Sequence, residues 1–203
     1  MSAPGTSNEQ RATSPSAALQ DLAAMLRGED TVISPHVLDP DAEPALGMLA
    51  AAGPRAAGSP AEYSLLVESV REGYLLHYAK PRLLEPGDRD LALLAGDYLY
   101  ALGLERLAKL GDAAAVAQLS DLISLCAELH AEEQAQLTAP LWLACVSAVG
   151  SGGSKQLDRA KAAARALDTD ATKLLWESAE LAAGAASDEL ARASEAIDFT
   201  PPR

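Results

Sequence analysis

The feature that most constrains this chain is residues 91–112, LALLAGDYLYALGLERLAKLGD, a run that reads as one long helix, apolar almost all the way round. Leu91, Leu94, Tyr98 and Leu102 make one stripe, and Leu93, Tyr100, Leu104 and Leu107 make a second. A helix that is apolar on two sides must be covered on two sides, which predicts a central helix in a bundle. The exception is Asp97, halfway along. A carboxylate in such a place must find donors, because burying it unpaired is costly, so the reading predicts a bond to a Tyr or Arg of a neighbouring helix.

The rest of the chain points to the same class. Alanine and leucine dominate, runs of β-branched residues are missing, and aromatics make up only 4% of 203 residues. That is the signature of an all-α protein, here a helical bundle around one core. A helix is expected over 15–27, ended by Gly28, and one or two turns over 44–52. Ser59, Pro60 and Glu62 make a helix start, followed by Tyr63, Leu66, Val67, Val70, Tyr74 and His77 at helical spacing up to Pro81. Residues 80–90 form a turn, with Asp88 or Asp90 capping the long helix. Helices follow over 113–136 and from Pro140. The sequence GSGGS at 150–154 is the clearest break, with Ser154 placed to cap the first of three alanine-rich helices over 157–167, 169–183 and 187–197. The expected organisation is a disordered leader over 1–14, a helical bundle over 15–150, and C-terminal helices over 151–203 that pack on it.

A formal net charge of −13 disfavours nucleic acid as a partner, since phosphate contacts need clustered Lys and Arg. The first residues have no basic patch leading into an apolar run, and no stretch is apolar for the roughly 18 residues a span needs. A cytoplasmic location is therefore expected, with any bilayer met from outside. Cys126 and Cys145 lie in apolar helical contexts and read as buried small hydrophobes rather than a disulfide.

The long helix resembles one in the trans-prenyltransferases, enzymes that build polyprenyl diphosphates. Their pattern L-x-G-D-Y/F-L is matched by Leu94, Gly96, Asp97, Tyr98 and Leu99, and their Gly-Asp turn by Gly111 and Asp112. In catalytic members the preceding helix carries a DDxxD motif whose carboxylates share a face and hold magnesium against the allylic diphosphate. Here that region, 65–78, offers Glu68 and Glu72 and no aspartate, and 160–170 lacks a second acid-rich motif. This combination resembles the small, non-catalytic subunit of two-chain heptaprenyl diphosphate synthases, component I, over residues 63–134. The resemblance implies a truncated isoprenoid-synthase-like bundle with no catalytic residue and no metal ligand of its own. Gly96, Asp97 and Tyr98 are its family motif. The implied partner is a catalytic prenyltransferase subunit that carries Mg2+ and makes the long prenyl chain of menaquinone. Any membrane contact would come through that partner. The alternative is a stand-alone helical adaptor with no isoprenoid role.

Several side chains invite a chemical role. Glu68 and Glu72, one turn apart beside Arg71, read as a surface pair rather than a magnesium site. Under the resemblance Asp97 would face a residual diphosphate pocket. Glu128, His130, Glu132 and Glu133 have the wrong spacing for a ferritin-like iron site and read as a solvated helix end. Tyr74, Tyr78, Tyr98 and Tyr100, four of the five tyrosines, fall on two adjacent helices and are the candidate partner interface. No P-loop, G-x-G-x-x-G turn or zinc-spaced cysteine pair is present.

Overall fold

The computed structural model describes residues 13–202, and these form an all-α helical bundle. Among the described residues nine α-helices run in order: α1 (Ala18–Gly28), α2 (Ala45–Ala51), α3 (Pro60–Tyr78), α4 (Arg89–Lys109), α5 (Ala113–Ala131), α6 (Thr138–Ser151), α7 (Lys155–Arg165), α8 (Ala171–Ala183) and α9 (Ser187–Ala196). Among the described residues there is no strand, and no helix is long and apolar enough to cross a membrane. Most of the expected leader, residues 1–12, lies outside the described residues. Thr13 and Ser14 are tied down: the Thr13 backbone donates to Asp21, and the Ser14 hydroxyl caps the short turn that leads into α1.

Local signals set most helix ends. Pro60 opens α3, the Asp88 carboxylate accepts from the Leu91 N–H at the start of α4, and Ser154 accepts from Leu157 at the start of α7. Gly111, with φ of 77°, takes the left-handed conformation that ends α4, and Asp112 then caps α5.

The centre of the bundle is not α4. Only five of its 21 residues are buried, Ala95, Gly96, Leu99, Gly103 and Leu107. The buried helices are α3, with 13 of 19 residues covered, and α6, with 12 of 14. The apolar pattern of α4 misleads because much of it is alanine and leucine left facing outward. Leu94 is 57% exposed, and Leu91, Leu102 and Leu104 are half-buried.

Helix α3 separates two cores. The larger holds Leu66, Val70 and Tyr74 together with Leu119, Leu122, Trp142, Val146, Leu175 and Ala193, so α8 and α9 share a core with α5 and α6. The smaller gathers Leu19, Leu22 and Leu26 of α1 with Leu76, Leu83 and Leu99. Helices α3 and α4 meet through glycines: a Cβ on Gly103 would lie 2.9 Å from the Leu66 carbonyl oxygen, and one on Gly73 2.9 Å from that of Gly96. Within this seam the Ser69 hydroxyl donates to the Leu99 carbonyl at 2.9 Å.

Candidate functional site

The candidate residues fall into two clusters, one beneath the α3–α4 turn and one on the outer side of α4. The first is a buried ionic cluster. Glu68 and Glu72 project from successive turns of α3 and are both fully buried, contrary to the surface pair their spacing suggests. What permits this is Arg82, on the turn after α3, whose guanidinium reaches Glu68 Oε2 at 2.8 Å and Glu72 Oε2 at 3.1 Å. The second oxygens are used as well. Glu68 Oε1 accepts from the Gly47 N–H at 2.7 Å, and Glu72 Oε1 accepts from both Arg82 N–H and Leu83 N–H at 2.7 Å. Burial works against the charge on Arg82, but the two carboxylates outweigh it and hold its pKa above the ordinary arginine value. The acid pair is thus a clamp that fixes the 79–84 turn and the start of α2 onto α3. Arg71 is not its partner: its guanidinium lies over the Tyr74 ring at 4.8 Å and the Trp142 ring at 5.0 Å.

The second cluster carries the family-motif residues. Gly96 is buried, and a side chain there would strike His77, with its Cβ 2.6 Å from Nε2. Asp97 is 75% exposed, so it is not the buried carboxylate that the helix pattern predicts, and its neighbour is a histidine rather than a Tyr or Arg: His77 Nε2 sits 3.1 Å from its Oδ1. Tyr98 turns the other way and donates its hydroxyl to Glu29 Oε1 at 2.6 Å, tying α4 to the end of α1. Burial and that carboxylate push the Tyr98 phenol well up.

The tyrosines form a connected row with two histidines. Tyr100 stacks on His77 with ring centroids 5.3 Å apart, His77 neighbours Tyr78 at 5.7 Å, and Tyr78 stacks on His130 at 3.9 Å. Tyr74 is buried beneath the row. It touches Tyr78 and donates its hydroxyl to Thr138, with His130 Nε2 3.0 Å from the same oxygen. Burial lowers the His130 pKa. Of the expected solvated end of α5, Glu128, Glu132 and Glu133 are exposed as read, whereas His130 packs into the aromatic row. The result is a continuous face in which Leu94, Asp97 and Ala101 of α4 are exposed, half-buried Tyr100 lies beside them, and Tyr78 and His130 close the far end.

Sequence reading missed Arg82, whose carboxylate partners precede it by 10 and 14 positions across a turn, and His130 as an aromatic partner. An i,i+4 acid pair in the apolar-rich run 65–78, followed by an arginine just past Pro81, is the signal that could have found the first. Cys126 and Cys145 are free and buried, and burial pushes the Cys145 thiol up to about 12. Among the described residues no cluster of His, Cys, Asp or Glu is grouped to hold a metal. No family model, curated protein or solved structure matches the chain. The class defined here is therefore an all-α bundle with an acid clamp in its interior and a mixed aromatic and apolar face on α4.

Proposed function

We propose that the protein is the non-catalytic small subunit of a heteromeric polyprenyl diphosphate synthase, docking on its catalytic partner through the outer face of α4. The observation that carries this reading is the exposure of the motif helix: Leu94 and Asp97 face solvent while Gly96 is locked against α3. A helix bearing leucines and a carboxylate on an uncovered side presents both apolar area and a registering charge to a partner. Tyr78 and Tyr100, stiff aromatic side chains beside that charge, supply anchor area at low entropic cost. Glu68 and Glu72, tied to Arg82 and backbone N–H groups, serve the fold, which leaves the magnesium and diphosphate chemistry to the partner. In this role the small subunit completes the partner's fold and helps set the length of the prenyl chain, with menaquinone precursors as the product class.

The experiment is co-elution. The DDxxD-bearing prenyltransferase of the same genome should elute with this chain as one complex on size exclusion. Leu94→Glu combined with Asp97→Lys should abolish the complex while leaving the circular dichroism spectrum and melting temperature unchanged. Separate elution of the two native chains would remove this reading and leave a helical adaptor.

A further inference from the structure

A cleft of about 220 Å³ opens where α2, the turn after α3 and the end of α9 meet. Its floor is aliphatic, from Leu46, Leu75 and Ile197. Its polar side is cationic, from Arg71, Lys80 and Arg82, with the exposed Glu43 as the one acid. Arg82 is already engaged by Glu68 and Glu72. Arg71 is not: it feels the charge of Glu68, but among the described residues its side chain makes no hydrogen bond or ion pair, and its guanidinium lies over the Tyr74 and Trp142 rings. Ring faces stabilise the charge of a guanidinium but accept none of its five in-plane N–H donors. A partly buried guanidinium without protein acceptors, set beside two aromatic rings at the wall of a cleft, is a ready fork for a carboxylate or phosphate.

We propose that this cleft binds a short amphipathic oxyanion, with its anionic head on Arg71 and Lys80 and a short aliphatic body against Leu46, Leu75 and Ile197. The volume limits the body to a few carbons, since drug-sized ligands occupy pockets of roughly 300 Å³ or more. Occupancy would join α2, α3 and the residues after α9, three segments distant in sequence. The site lies apart from the α4 face and does not depend on the subunit reading.

The test uses the full chain with its isoleucine methyl groups labelled for NMR. The sequence has three isoleucines, Ile33, Ile123 and Ile197, and of these Ile197 lines the cleft, so the other two serve as internal controls. Hexanoate should shift the Ile197 methyl saturably and leave Ile33 and Ile123 in place, whereas hexanol and hexylammonium should not. Inorganic phosphate, run in parallel, separates the two head groups: a saturable shift with phosphate marks a site for any oxyanion, and none marks a site that needs the aliphatic body. Arg71→Met should weaken hexanoate binding by about tenfold or more, the worth of a charge-assisted hydrogen-bonded pair. Lys80→Gln, at an exposed position that leaves the fold intact, should weaken it several-fold. No saturable shift of Ile197 with either anion, an equal response to hexylammonium, or unchanged affinity in Lys80→Gln would overturn the proposal.

Discussion

Replacing Arg82 by Met tests the ionic clamp directly. Both carboxylates it serves are fully buried, at 2.8 and 3.1 Å, so its removal leaves two anions in the interior with only backbone N–H groups to hold them. Removing one partner from a buried ion pair costs about 3–5 kcal/mol, because the surviving charge stays desolvated. Against a total stability of about 5–15 kcal/mol this is a large fraction. With a urea slope of about 2 kcal/mol per M, the midpoint of unfolding followed by circular dichroism should fall by about 1.5–2.5 M. Adding Glu68→Gln and Glu72→Gln to Arg82→Met removes the stranded charges and should return at least about 2 kcal/mol of that loss. A midpoint shift below about 0.5 M for Arg82→Met alone would show that the acids are reached by water and that the clamp reasoning is wrong.

Three further outcomes follow from the packing and the titrating groups. A Cβ on Gly53 would lie 2.2 Å from the Gly150 carbonyl, so Gly53→Ala should cost about 1–3 kcal/mol by calorimetry. At Gly28 a Cβ meets nothing within 4 Å, and Gly28→Ala should be neutral or stabilising by up to about 1 kcal/mol. Burial alone would raise the Asp112 carboxyl, but bonds from Tyr63 at 2.6 Å, from the Ala115 N–H at 3.0 Å and from Arg55 outweigh it and hold it below its ordinary value of 3.8. Its contribution is therefore complete above pH 3.8 and is lost as pH falls through the lower folded value. Asp112→Asn should cost about 1–2 kcal/mol at neutral pH and flatten the acid limb of the stability curve.

The fold was legible where the signal is local. Ser59 and Pro60, Asp88, Gly111 and Ser154 mark helix ends through backbone chemistry confined to a few residues, and the helices fall within a few residues of where these signals place them. The rank of the helices was not legible. An Ala- and Leu-rich helix reads as apolar on every side whether or not anything covers it, and α4 turns out to bury only a narrow stripe of Ala95, Gly96, Leu99, Gly103 and Leu107. The same limit hid the state of the charges. Glu68 and Glu72 have the spacing of a solvent-facing pair, and only the path of the chain past Pro81, which brings Arg82 back over α3, makes their burial affordable. Asp97 erred in the opposite direction, since its helix reads as covered on both sides and the acid ends 75% exposed. The tyrosine row was legible as a cluster, but its histidine members, His77 and His130, come from helices α3 and α5, and no sequence period links them.

The subunit reading is tested most directly by isopentenyl transfer with farnesyl diphosphate and magnesium. Three samples are compared: this protein, the DDxxD-bearing prenyltransferase of its own genome, and the two together. The account predicts no product from this chain alone and a longer prenyl chain, or activity at all, only in the mixture, with both effects lost when Leu94→Glu and Asp97→Lys are introduced. Identical products from the partner with and without this chain would contradict it.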